Sequence, residues 1–341
     1  KILLAHAPTG LGKTASVISA ALNINQKEKK KILFLTNRHT QHQIAINTLK
    51  LIQEKTKTKI ICADLIGKKW MCNQDIANLF GSEFNEYCKS VVEKGECEFY
   101  NNFRQKKELT IEAKRILKEL QLKGAIHNQE IINTGQENKL CSYELGLELA
   151  KKAEIIIGDY YYVFNPHVQK TLFTKLDLEL ENIILIVDEG HNLPSRIAEM
   201  LSSNLSSIMI KNAILEAKKF SYLTLINYLQ ELNKIINQLA DFEEKYPEKE
   251  KLIKKEDFLE KVNKIIQYDE LINQQEFAAE EIRNKQSKSY LGVICTFLEL
   301  WKGDEQGYLR SISENRTKFG PIIYLNYACL DPSIISTEIF K

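Results

Sequence analysis

The sequence predicts an α/β fold with a parallel sheet, on three observations. Short apolar runs at 1–5, 31–35, 154–158 and 182–187 alternate with helical periodicity, the pattern of strands joined by crossover helices. The first run opens into Ala7-Pro-Thr-Gly-Leu-Gly-Lys-Thr14, where glycines lead directly into a helix start. Two other runs end in polar clusters, Thr36–Gln41 and Asp188–His191, at the strand ends where open α/β sheets bind ligands.

Residues 7–14 have the pattern that wraps backbone N–H groups around a polyphosphate, with an ordinary glycine turn as the bland alternative. Gly10 and Gly12 permit positive φ and close approach to phosphate oxygens, and the helix from Thr14 to Leu22 adds a favourable partial charge. Lys13 is expected to reach the β and γ phosphates and Thr14 to offer a hydroxyl to Mg²⁺. Pro8, Thr9, Gly10, Leu11, Gly12, Lys13 and Thr14 are therefore the candidates for binding ATP. A charged loop at 26–30 and the strand 31–35 complete a βαβ unit. Thr36, Asn37 and Arg38 follow, and either hold a phosphate backbone or cap the helix from about Gln41 to Glu54.

A short strand is expected at 59–62. From Leu65 to Cys141 the chain is polar and lacks apolar stripes except near 109–122, so an inorganic staple is physically reasonable. Cys72, Cys88, Cys97 and Cys141 lie there, and four thiolates in a reducing compartment suit iron–sulfur or zinc. The usual Cys-x-x-Cys knuckle of zinc sites is absent from their spacing. Cys62, Cys295 and Cys329 sit in apolar surroundings that suit buried thiols.

A helix at 143–153 leads to the strand 154–158, whose end carries Tyr160, Tyr161 and Tyr162, read as packing or as a stacking surface for bases. A helix at 167–176 precedes the strand 182–187. Asp188 and Glu189 at its end are costly without a cation to face. Asp188 is expected to hold Mg²⁺ and Glu189 to orient an attacking water, and His191 joins them as a catalytic candidate; a capped helix start is the alternative. Residues 203–300 read as helical rather than sheet: 208–220, 223–242 and 255–281, the last two separated by Tyr246-Pro247, with a further helix at 290–301. The strand 321–327 is expected to lead back to the core.

At 341 residues the chain allows two or three domains. A net charge of +2 gives no global basic field, so nucleic-acid contact would need local patches such as 27–31 or Lys68-Lys69. Seven cysteines without a signal-peptide pattern argue against a disulfide framework. No run is long enough to span a membrane, and a cytoplasmic location is expected. Core-like strands at both ends suggest part of a longer protein.

The order Gly-x-Gly-Lys-Thr, cysteine-bearing insertion, Asp188-Glu-Gly-His-Asn192 box and helical insertion resembles the xeroderma pigmentosum group D (XPD) branch of superfamily 2 DNA helicases, including its archaeal members. Cys97-Glu-Phe-Tyr100, Cys141-Ser-Tyr143 and Tyr160-Tyr-Tyr-Val-Phe-Asn-Pro166 are close local matches, and the box departs from DEAH only by Gly190 for Ala. The resemblance implies a RecA-like P-loop motor at 1–62 and 151–202, a 4Fe-4S domain at 63–150 held by Cys72, Cys88, Cys97 and Cys141, an all-helical arch at 203–320, and a return to the motor at 321–341. It also implies contact with single-stranded DNA through Thr36, Asn37 and Arg38, in scrambled order, and through Lys68 and Tyr143; a second basic position is Leu147 here.

The activity so implied is ATP-dependent 5′→3′ unwinding of fork or bubble DNA by a monomer with repair-protein partners. A DNA-stimulated remodelling ATPase and a damage-binding module are the alternatives. The family's adenine-contacting region, motif III and second motor domain are expected to lie outside this sequence, which would leave the chain alone a weak nucleotide binder and slow hydrolase.

Overall fold

The computed structural model describes residues 2–8, 10–75, 81–242, 249–283, 285–286, 289–318 and 320–340. Contacts divide them into two units, residues 1–196 with 335–341, and residues 197–334.

In the first unit α1 (Lys13–Glu28) leads into β1 (Lys31–Thr36), α2 (His39–Thr56) and β2 (Cys62–Asp64). A helical excursion follows: α3 (Gly81–Glu93), α4 (Glu98–Phe103), a small hairpin of β3 (Arg104–Gln105) and β4 (Glu108–Leu109), then α5 (Ile111–Lys123), α6 (Asn128–Glu137) and α7 (Ser142–Lys152). The chain returns as β5 (Ile155–Asp159), α8 (Tyr161–Phe164), α9 (Pro166–Leu176), β6 (Ile183–Val187) and α10 (Leu193–Leu201). The strands form one parallel sheet in the order β2-β5-β1-β6, with Leu33 of β1 opposite Ile156 on one side and Leu185 on the other. Ile18, Ile46, Leu49, Ile32, Phe34 and Ile157 pack α1 and α2 onto it.

Three expectations change here. No strand forms over residues 2–5 of the run expected at 1–5: residues 2–8 are irregular, and Leu3 and Leu4 are 89% and 94% exposed, while Lys1 lies outside the described residues. An apolar run becomes a strand only where a ladder accepts its backbone, and hydrophobicity alone does not supply that partner. β2 lies three residues later than expected because its pairing with Ile155–Ile157 fixes it there. The polar stretch after Leu65 is largely helical and buries Phe84, Phe103, Ile116, Leu120 and Ile131.

One buried carboxylate ties that excursion to the sheet. Asp64, at the end of β2, accepts from Asn128 N–H at 2.9 Å and Asn128 Nδ2 at 2.7 Å, and its other oxygen meets His42 Nδ1 at 2.5 Å. Asp64, His42 and Asn128 are all buried, so α2, β2 and the start of α6 share one polar anchor.

The second unit contains β7 (Ser203–Ser206), α11 (Ser207–Lys219), α12 (Leu223–Leu239), β8 (Glu250–Leu252), α13 (Lys255–Asn263), α14 (Tyr268–Arg283), α15 (Tyr290–Trp301), β9 (Tyr308–Thr317) and β10 (Gly320–Cys329); α16 (Ser333–Phe340) follows. The helices form a core with Phe258, Phe297 and Trp301, the rings of Phe258 and Trp301 meeting edge-on at 5.3 Å. The helix expected over 255–281 is interrupted: Asn263 Oδ1 accepts from Tyr268 N–H at 2.9 Å and so starts α14. Tyr246-Pro247, expected to separate two helices, lies outside the described residues.

The expectation of helices without sheet is also corrected. An antiparallel sheet runs β7-β10-β9-β8, and β10, expected to rejoin the parallel sheet, pairs here instead, with Leu325 opposite Leu205 and Ile312. β7 and β8 are too short to display a period of two, and the partner of β10 is decided by contacts distant in sequence. Buried Glu216 accepts from Leu291 N–H at 2.9 Å at the start of α15, and Arg310 donates to Trp301 O at 2.8 Å at its end. Both charges complement the helix dipole.

Asp64→Ala removes the acceptor from three buried donors at once. It is expected to cost about 3–5 kcal/mol, read as a lower urea midpoint; a change below about 1 kcal/mol would show the anchor to be dispensable.

Candidate nucleotide site and thiol cavity

The loop before α1 takes the backbone form that its glycines permit. Gly10 and Gly12 have φ of +87° and +75°, and a Cβ on either would meet only open space. Gly12 is the N-cap of α1, so the first N–H groups of that helix and the loop share one mouth. Lys13 Nζ donates to Ala7 O at 2.9 Å across the loop. Pro8, Gly10, Leu11 and Gly12 are exposed, Lys13 and Thr14 half-buried, and Thr9 lies outside the described residues.

The acidic box is an extension of the sheet. Asp188 N–H donates to Leu35 O at 2.8 Å, one step beyond β6, and Glu189 then turns the chain with a φ of +52°. Tyr160, fully buried, donates its hydroxyl to the carbonyls of Asp188 and Glu189, and Asn192 N–H donates to Glu189 O at 2.9 Å. Burial pushes the Asp188 carboxyl above its usual range, the charge of Glu189 adds to the shift, and Lys13 opposes it. Lys13 and Asp188 therefore feel one another, and a divalent cation between them and a triphosphate would offset the repulsion of the two acids. His191 Nδ1 lies 3.3 Å from Glu189 Oε2, with its side chain mostly exposed.

Of Thr36, Asn37 and Arg38 at the end of β1, only Arg38 is exposed. Thr36 is fully buried with its hydroxyl engaged by the Gln41 side chain, which leaves it no surface for a DNA backbone. Asn37 is half-buried, and its Oδ1 has no partner among the described residues. Lys68 and Tyr143 do come together: Lys68 Nζ and Lys175 Nζ lie 5.6 and 5.4 Å from the Tyr143 ring centre, a cation-flanked aromatic. Tyr160 and Tyr162 serve packing, the latter donating to Ile66 O at 2.8 Å.

Cys72, Cys88, Cys97 and Cys141 line a single cavity of about 260 Å³, between the short helix at 68–71, α3, α4 and α7. Burial pushes the Cys72 and Cys141 thiols up, Cys141 to about 12, and neighbouring thiolates push the same way. Burial keeps Cys72 and Cys141 as neutral thiols by themselves, and a soft metal would favour their thiolate forms. Cys62, Cys295 and Cys329 are buried, as their surroundings suggested.

Residues 34–210, just over half of the chain, match the DEAD_2 family model. The chain belongs to the DEAD_2 family. The matched span contains the four cysteines and the acidic box, and the glycine loop precedes it. Similar proteins include the regulator of telomere elongation helicase 1 homolog of Caenorhabditis briggsae, 26% identical over 248 residues, which covers 63% of this chain and 24% of that protein. The ATP-dependent DNA helicase CHL1 of Kluyveromyces lactis is 24% identical over 198 residues, 55% of this chain and 23% of that one. The chain thus spans about a quarter of the length of the curated relatives it matches. A solved structure titled XPD_Helicase shares the fold with a TM-score of 0.62 at 21% identity, over 98% of this chain and 52% of that one; one titled Truncated XPD gives 0.59 at 19%, over 98% and 83%. The XPD-like resemblance of the DEAD_2 member is thereby borne out in family and fold.

Tyr160 was legible only as one of three tyrosines; its grip on the acidic box needed the sheet order. Tyr160→Phe leaves two carbonyls of the box without that donor. The expected outcome is a loss of about 1–2 kcal/mol in thermal unfolding measurements, together with slower nucleotide turnover at unchanged nucleotide affinity.

Proposed function

We propose that this chain is the first motor domain of an ATP-dependent, XPD-type DNA helicase that moves 5′→3′ on single-stranded DNA and acts on fork or bubble substrates. The observation that carries the reading is the convergence of four thiols, scattered from 72 to 141, on one cavity in the same unit as the glycine loop and the acidic box. The family membership and the electrostatic coupling of Lys13 to Asp188 support it.

In this reading Gly10, Gly12 and the start of α1 cradle the triphosphate, Lys13 neutralises its outer charges, and Thr14 and Asp188 hold Mg²⁺. Glu189 orients the attacking water, with His191 beside it. Cys72, Cys88, Cys97 and Cys141 would hold a 4Fe-4S cluster, which would cross-link the short helix at 68–71, α3, α4 and α7. Zinc fits less well, because the spacing of the four cysteines lacks the Cys-x-x-Cys knuckle usual in structural zinc sites. Residues 63–150 correspond to the cluster domain and the second unit to the arch. Arg38, Lys68 and Tyr143 are the DNA contacts this reading retains, with base stacking on the Tyr143 ring tolerant of sequence. Among the described residues no helix is long and apolar enough to cross a membrane, and four reduced thiols suit a cytoplasmic, reducing compartment. Monomeric action with repair-protein partners completes the proposal.

Mg²⁺–ATP is expected to raise the melting temperature of the wild type and not of Lys13→Ala; equal shifts in both would remove the glycine loop from the site. Glu189→Gln should keep the shift while turnover, already slow for one motor domain, falls about 10²-fold or more. Anaerobically purified protein should be brown with equal iron and sulfide, and Cys88→Ser pale. Colourless, zinc-loaded wild type would end the cluster assignment.

A further inference from the structure

The segment after Cys72 makes contacts that the four thiols alone do not explain. Gln74 Nε2 lies 3.2 Å from Cys97 Sγ, and Tyr87 Oη donates to Gln74 Oε1 at 2.8 Å. The two bonds fix the amide together. A thiolate only accepts, so the NH₂ end must face sulfur, and the carbonyl end is left for the phenol O–H. Next to Gln74, Asn73 Nδ2 donates to Ser142 Oγ at 2.7 Å. The segment thus reaches Cys97 itself, the neighbour of Cys88 and the neighbour of Cys141.

We infer that the Gln74 side chain, aimed by Tyr87, is a hydrogen-bond donor that raises the reduction potential of the group held by Cys72, Cys88, Cys97 and Cys141; this rests on the 4Fe-4S reading of the cavity. A cluster that gains one electron and no proton places more negative charge on its thiolate sulfurs. An N–H group at one of those sulfurs stabilises the reduced form more than the oxidised form and raises the potential. An apolar side chain in the same place does not. Tyr87 acts through Gln74: without its hydroxyl the amide is free to turn away, so Tyr87 is a positioning residue for the donor.

The test compares wild type, Gln74→Leu and Tyr87→Phe, each purified anaerobically, assayed for iron and sulfide, and titrated with dithionite against redox dyes. All three should carry the full cluster. The potential of Gln74→Leu should move to a more negative value, and that of Tyr87→Phe in the same direction by a smaller step. Loaded variants with the wild-type potential overturn the inference. Loss of the cluster from both variants also overturns it, because a donor that only tunes the group is not needed to hold it. If Gln74→Leu alone fails to load, Tyr87→Phe, which keeps every thiol and the amide, decides the matter. A colourless wild type removes the cluster reading itself, and that outcome is seen before either variant is measured.

Discussion

The hydrogen-bond ladder on both sides of β1 is the constraint on which the first unit depends. β1 pairs with β5 along one edge and β6 along the other, all parallel, so the carboxyl ends of three strands finish at one level of the sheet. The bond from Asp188 N–H to Leu35 O carries the ladder one residue past β6 and fixes where the acidic pair begins. Tyr160, just beyond β5, then holds the carbonyls of that pair from the other side of β1. A loop could carry the same residues, but a ladder places them with far less freedom.

Charge without a matching counter-charge is the second theme. Asp188 is raised by burial and by Glu189, and Lys13 only partly offsets this. Burial and, after it, neighbouring thiolates push the Cys72 and Cys141 thiols up. Cations of different kinds suit the two sets, a hard divalent ion for carboxylate oxygen and a soft metal for thiolate sulfur. Structural carboxylates in the same chain look different: Asp64 and Glu216 have their donors supplied by the protein, Asn128 and His42 for one, Leu291, Ser289 and Gln286 for the other. That contrast between acids satisfied from within and acids left facing outward separates anchors from candidate sites.

The second unit shows how helical periodicity can hide a sheet. Its apolar stripes mark helices, one of them split into α13 and α14, and α15 has the expected bounds, Tyr290–Trp301. The antiparallel sheet beside them is built from two long strands and two very short ones, and the short ones carry no pattern of their own. Glu216 and Arg310 hold the two ends of α15 from residues far along the chain in sequence.

The sequence by itself determined the strands of 31–35, 154–158 and 182–187, most of the helices, the glycine loop and the acidic box. Each rests on local chemistry: apolar runs of strand length, stripes of helical period, glycines where positive φ is needed, and acids at a strand end. Tertiary structure alone decided that Ile2, Leu3 and Leu4 stay exposed, that Thr36 is buried while Arg38 is free, and that β10 joins an antiparallel sheet. It also decided that four distant thiols share one cavity, and that Gln74 and Tyr160 serve the groups around them. Those outcomes depend on partners brought together by folding across tens of residues, and no window of sequence contains both members of such a pair.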